Sequence, residues 1–140
     1  MEYDVGKEIT NLSNQIKRNM GILSKKTGLS GTQGHVLHFI IVKEKEGLIQ
    51  KDIEEEFNLR PATATGILKN LERDGYIIRT PSKDDARHKT ITLDQKSLAI
   101  SSQIAQEVAN FDRQLTSDLS PEEITTLIGL LGRISGSIPK

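Results

Sequence analysis

The stretch Gln50-Lys51-Asp52-Ile53-Glu54-Glu55-Glu56-Phe57-Asn58-Leu59-Arg60-Pro61-Ala62-Thr63-Ala64-Thr65-Gly66-Ile67-Leu68-Lys69-Asn70-Leu71-Glu72-Arg73-Asp74-Gly75 reads as two helices and the turn between them. Ile53 and Phe57 stand four apart, an apolar edge sufficient for a short helix packed on one side. Asn58-Leu59-Arg60 supplies the turn, and Pro61 opens the next helix where its missing N–H costs nothing. That helix is expected to run to Asp74 and to close on Gly75, which tolerates the left-handed backbone beyond a helix end. Ala64, Ile67, Leu68 and Leu71 form its inward stripe, while Ala62, Thr63, Thr65, Gly66, Lys69, Asn70 and Arg73 are left for another use.

Directly after Gly75 the apolar period changes from 3.6 to 2. Tyr76–Thr80 and Lys89–Leu93 read as short strands joined by the polar loop Pro81–His88, a long-tipped hairpin. Helix, tight turn, polar-faced helix and basic hairpin follow one another in the order of a winged helix-turn-helix. Upstream, Val5, Ile9, Leu12, Ile16, Met20 and Leu23 line one face of a helix expected over residues 2–23. A break at Thr27-Gly28-Leu29 precedes Ser30 and Gln33, spaced as a capping box, and the run Val36–Val42 is apolar enough for a buried second helix. Downstream, Asp94 can cap a helix striped by Ile100, Ile104, Val108, Phe111 and Leu115. Ser120-Pro121-Glu122-Glu123 then announces a last helix carrying Ile124, Leu127, Ile128, Leu131, Ile134 and Ile138. The fold class expected is mainly α with a small β-hairpin wing. It forms a single domain over 1–140, with a winged helix-turn-helix lobe at 30–94 flanked by dimerisation helices at 1–27 and 95–140. The stripes of those flanking helices lie outside the winged core, and apolar faces left wet mark an interface, here with a second copy.

The 140 residues suit one domain, and no stretch approaches the roughly 20 apolar residues of a membrane span. The amino terminus lacks the basic-then-apolar pattern of a signal peptide, so a cytoplasmic protein is expected. The absence of cysteine removes disulfides, thiolate zinc and thiol nucleophiles together. Nineteen basic residues balance nineteen acidic ones, which at first sight argues against a nucleic-acid partner. The balance is local in origin, because residues 60–96 hold eight basic against five acidic residues while 43–59 hold three against six. Local charge sets the field that a phosphate backbone meets.

Within that basic segment the chemistry of base and phosphate contact is plain. In a winged helix-turn-helix the second helix enters the major groove, about 12 Å wide, leading with its amino-terminal residues. Thr63 and Thr65 can hydrogen-bond base edges or pack a thymine methyl. Gly66 costs about 1 kcal/mol relative to alanine inside a helix, a cost explained equally by close approach of DNA and by helix packing. Lys69 and Arg73, one turn apart, can neutralise phosphates, as can Lys83 and Lys89 on the hairpin. Arg87 on a thin loop can enter a minor groove, and Asp85 can hold its guanidinium by a bidentate pair.

Taken together, Gln33, Gly47-Leu48, the helix pair, Thr63-Ala64-Thr65, Leu71-Glu72-Arg73-Asp74-Gly75-Tyr76-Ile77-Ile78-Arg79, Asp85-Ala86-Arg87, Leu93 and Leu119-Ser120-Pro121-Glu122-Glu123 resemble the MarR family of bacterial transcriptional regulators. The match runs from the second helix to the last. It departs from the family pattern at Ile49, where a threonine usually caps, at Gly66, at Ala86, where a second basic residue is common, and at Asp94 and Ser97, in place of threonine and glycine. The resemblance implies a homodimer on a pseudopalindromic operator of double-stranded DNA, with residues 61–74 as recognition helix, Arg87 as the minor-groove residue and Asp85 as its support. It also implies a repressor relieved by a small aromatic ligand, for which Phe39, Phe111 and Tyr3 are equally good as crevice, core or interface residues.

Other classes find less support. His35 and His38, three apart on one helix, offer a two-ligand metal face without a carboxylate nearby in that helix, and no cofactor is expected. G-x-S-x-G, phosphate-loop and dinucleotide signatures are absent, so an enzyme is not expected. The alternatives to a DNA-binding regulator are a winged-helix module that binds protein and a metal-sensing regulator.

Overall fold

In a computed structural model, the structure describes residues 3–19, 29, 31–85 and 87–139. Among these, six α-helices and one hairpin follow in the expected order: α1 (Val5–Asn19), α2 (Gly31–Lys43), α3 (Gln50–Phe57), α4 (Pro61–Arg73), β1 (Ile77–Pro81), β2 (Lys89–Leu93), α5 (Gln95–Leu115) and α6 (Pro121–Ser137). The chain divides into two compact units, Met1–Val108 and Ala109–Lys140.

In the first unit α1 begins where Asp4 accepts the Lys7 N–H at 3.2 Å, later than the expected start at Glu2. Its far end, the break at 27–28 and the Ser30 cap lie outside the described residues. No residue of α1 is buried. Helix α2 buries Val36, Leu37 and Ile40 completely, although Val42 at its end is 63% exposed, so the run is one-sided rather than covered all round. A short 3₁₀ turn, Glu44–Glu46, and the left-handed Gly47 (φ 71°) lead to α3. Ile49 has no side chain with which to cap, and Asp52 compensates by accepting the Ile49 N–H at 2.9 Å.

The link between α3 and α4 is tight because Asn58 takes the left-handed conformation (φ 51°), one of the few residue types that does so readily. Helix α4 ends one residue before the expected Asp74 in a Schellman turn: the Gly75 N–H donates to the Glu72 carbonyl at 3.1 Å and the Tyr76 N–H to the Leu71 carbonyl at 2.9 Å. The φ of +83° at Gly75 is the conformation that this turn requires of glycine.

Strands β1 and β2 pair antiparallel with Ile77 opposite Leu93, Arg79 opposite Ile91 and Pro81 opposite Lys89, one residue later on β1 than the alternation suggested. A further bond, from the Ile91 N–H to the Leu48 carbonyl at 2.8 Å, ties the hairpin to the loop before α3. Leu37, Ile40, Ile53, Leu68, Leu71, Ile77, Ile91 and Ile104 make one continuous core beneath α4 and the hairpin. Each such side chain contributes about 1.5–3 kcal/mol of burial. Phe39 packs edge-to-face on Phe57, ring centres 5.7 Å apart, at the rim of that core. Ser97, at a position where the family usually has glycine, is fully buried and donates its hydroxyl to the Tyr76 carbonyl.

The second unit holds the end of α5 and all of α6. The capping box is complete: the Glu123 N–H donates to Ser120 Oγ at 3.1 Å and the Ser120 N–H to Glu123 Oε1 at 2.9 Å. No residue of α6 is buried. Among the described residues, no helix is long and apolar enough to cross a membrane.

Candidate nucleic-acid interface

Helix α4 is divided lengthwise. Ala64, Leu68 and Leu71 are wholly buried, and the rest of its surface faces outward. Ala62, Thr63, Gly66, Lys69 and Arg73 are exposed, and Thr65 and Asn70 are half-buried at the boundary. A Cβ built on Gly66 meets nothing within 4 Å, so packing among the described residues is not the reason for glycine here. Lys69 and Lys83 form no ion pair among the described residues. Arg73 differs, because its Nε donates to Asp74 Oδ1 at 3.0 Å and its Nη2 to Asp74 Oδ2 at 3.3 Å. That pair holds the Asp74 carboxyl below its ordinary range and leaves only part of the Arg73 charge for an outside partner.

On the hairpin the bidentate pair read from the sequence is present. Arg87 donates from Nε to Asp85 Oδ1 at 3.1 Å and from Nη2 to Oδ2 at 3.0 Å, and its backbone N–H reaches Oδ1 at 3.0 Å. The Arg87 side chain is nonetheless 87% exposed, so the carboxylate fixes its direction without covering it. Hydrogen bonds from the Arg87 side chain, then from its backbone, hold Asp85 below the usual carboxylate range. With the folded value depressed, the pair is fully present at neutral pH and is lost only as pH falls through that depressed value. His88, whose backbone closes the loop onto Asp85 and Ser82, sits with Nε2 3.6 Å from Asp85 Oδ2.

Three features escaped the sequence reading. Arg79, counted there among the basic charges, is only 12% exposed and donates to Glu72 Oε1 at 3.1 Å, binding the hairpin to α4. It faces inward because it stands two residues from the buried Ile77 and opposite Ile91. The Arg79 hydrogen bond keeps Glu72 below its ordinary range. The second feature is Gln50 at the start of α3, whose side-chain amide reaches Pro61 and Thr65 of α4. Neither contact leaves a signal in the sequence, since partners seven or more residues apart meet only once the turns are in place. Lys96 was likewise unassigned; its ammonium donates to the Asp74 carbonyl at the end of α4 and lies 4.4 Å above the Tyr76 ring.

Among the described residues the two histidines of α2 join no cluster of metal-ligating side chains. His35 Nδ1 faces the Gly31 carbonyl at 3.2 Å, while burial, and then the neighbouring His35, lower the pKa of His38. Phe39 lines a recess of about 390 Å³ whose other walls include Lys43, Glu46, Asp52, Glu55 and Glu56, a polar setting unlike an aromatic-ligand crevice.

The buried half of α4, its exposed polar half and the hairpin beside it define a winged helix-turn-helix regulator of transcription. The comparisons with known proteins give the family: the MarR family model matches residues 27–88. The transcription regulator MarR from Oenococcus oeni PSU-1 is 30% identical, with 96% of this chain and 100% of that chain covered and a TM-score of 0.84. The Bacillus subtilis HTH-type transcriptional regulator YybA is 24% identical over 136 residues, 91% of either protein. The Staphylococcus aureus MepR–DNA complex shares the fold at a TM-score of 0.88 and 24% identity, covering 99% of this chain and 100% of that one. The chain belongs to the MarR family and is a transcriptional regulator, not an enzyme.

Proposed function

We propose that this chain acts as a homodimeric repressor on a pseudopalindromic operator of double-stranded DNA in the cytoplasm, released by a small aromatic ligand. The observation that carries the DNA contact is the lengthwise division of α4, whose apolar half is consumed by the core while Thr63, Gly66 and Lys69 stand free. With α4 in the major groove, Ala62, Thr63, Thr65, Gly66 and Asn70 meet base edges, and Lys69, Arg73, Lys83 and Lys89 meet phosphates. Arg87, aimed by Asp85, enters the minor groove. MepR, which shares this fold, was solved bound to DNA.

Support for the dimer comes from α6, where Ile128 is 64% and Leu130 46% exposed along an apolar helix that a soluble monomer would have to keep wet. Two-fold symmetry would set the recognition helices about 34 Å apart, one turn of DNA. The ligand response rests on the family resemblance.

Arg87→Ala tests the reading. Operator affinity is expected to fall at least about tenfold, the worth of one well-made contact, with the dimer intact by sedimentation. Unchanged affinity at physiological salt removes the hairpin from the interface. A winged-helix module that binds protein instead predicts salt-insensitive partner binding and no shift of promoter DNA.

A further inference from the structure

Gln50 stands at the first position of α3, outside the helix assigned to base reading, yet its amide is committed to that helix. Its Nε2 lies 2.9 Å from Thr65 Oγ1, 3.1 Å from Glu54 Oε2 and 3.2 Å from the Pro61 carbonyl oxygen. A carbonyl and a carboxylate can only accept, so the group turned toward them is the NH₂ and not the amide oxygen. Its two hydrogens therefore serve three acceptors, and the shortest contact is to Thr65. The amide nitrogen has no lone pair to offer, so the Thr65 hydroxyl accepts and keeps its own proton unspent. Among the described residues that proton meets no acceptor.

Helix α6 shows the usual fate of such a proton. Thr125 stands four residues after Pro121 and donates its hydroxyl back to the Pro121 carbonyl at 3.1 Å. Thr65 stands four residues after Pro61 in the same setting, but there Gln50 occupies the proline carbonyl and the threonine oxygen together.

We propose that Gln50 and Thr65 form one reading unit, in which Gln50 is a positioning residue that fixes the Thr65 hydroxyl as an outward hydrogen-bond donor toward a base edge. This rests on the assignment of α4 as the DNA-reading helix and names the chemistry it selects. Guanine O6 and N7, adenine N7 and thymine O4 accept in the major groove, whereas cytosine N4 and adenine N6 donate. A donor-fixed Thr65 selects an acceptor edge, that of guanine, thymine or adenine N7, and rejects cytosine, which offers only a donor. Accepting from Gln50 also strengthens the hydroxyl as a donor, because bonds in a chain polarise one another.

The experiment begins with duplexes selected by the full-length wild-type protein from a randomised pool, followed by affinities for every single-base change of the selected site. Thr65→Val is expected to lose about tenfold of discrimination at one position. Gln50→Met should lose the same discrimination at that position, and the double variant no more than either alone. Melting curves on each variant separate loss of fold from loss of reading, and any two folded variants suffice. The pair is overturned if folded Gln50→Met keeps the wild-type preference at every position, or if Thr65→Val alters a position that it leaves untouched. A wild-type protein that selects no duplex at all overturns the DNA-reading assignment itself, and the pair with it.

Discussion

Helices α4 and α6 both begin with proline at the first helical position, yet they are used in opposite ways. In α4 the apolar side chains Ala64, Leu68 and Leu71 have no exposure, while in α6 Leu127, Ile128, Leu130, Leu131 and Ile134 are all exposed. The caps differ in the same sense. Helix α6 closes its amino terminus with the reciprocal Ser120–Glu123 pair, whereas Arg60 offers α4 no side-chain cap. Donors at a helix start that no side chain satisfies are suited to an anion from outside. Helix α4 spends its apolar face inside the chain and leaves its polar face and start exposed. Helix α6 satisfies its start internally and keeps its apolar face.

The largest effect that would break this contrast is on assembly. Replacing Ile128 and Leu131 together with aspartate is expected to weaken dimerisation at least about a hundredfold, because each buried side chain of this size contributes about 1.5–3 kcal/mol at an interface repeated by symmetry. Sedimentation velocity reads the shift to monomer, and circular dichroism should show helices retained. A dimer that survives both charges would mean that the α6 stripe serves something other than self-association. The matching change in α4, Leu68→Ala, should leave assembly alone and cost about 2–5 kcal/mol of stability, measured by denaturant unfolding. A loss below 1 kcal/mol would show the α4 stripe to be less tightly packed than its burial states.

How much of this contrast was legible beforehand depends on the range of each interaction. The Pro61 start, the Gly75 stop, the Ser120–Glu123 box and the Asp85–Arg87 pair all join residues close in sequence, and each stands where the pattern put it. The stripe of α4 was read correctly, but which apolar stripe is covered within the chain is a tertiary fact: α1, equally striped, buries nothing. Gln50 and Arg79 were missed because their partners are fifteen and seven residues away. The Asn58 and Gly75 turns bring them together, and charge counting treats a buried arginine and an exposed one alike.

Ser120→Ala carries a smaller expected effect. Removing the oxygen that accepts the Glu123 N–H should cost about 1 kcal/mol of helix stability, seen as a lower melting temperature with no change of operator affinity at saturating dimer concentration. An affinity change under those conditions would link the α6 cap to the DNA-facing lobe and blur the division of labour between the two helices.

The finest comparison uses the glycines inside the two helices. At Gly66 in α4 and Gly132 in α6 alike, a Cβ would meet no atom of the described residues within 4 Å beyond the adjoining backbone of its own helix. Alanine at either position should therefore raise the intrinsic stability of its helix by up to about 1 kcal/mol, since no neighbour is displaced and glycine's excess backbone entropy is removed. The cost must then fall on whatever partner approaches. Gly66→Ala is expected to melt higher than wild type while binding its operator more weakly, and Gly132→Ala to change the monomer–dimer equilibrium while leaving the affinity of preformed dimer for DNA unchanged. If Gly66→Ala is both more stable and equally tight on DNA, close approach is not the reason for glycine in the middle of α4. The exposed face of that helix would then be read by its side chains alone.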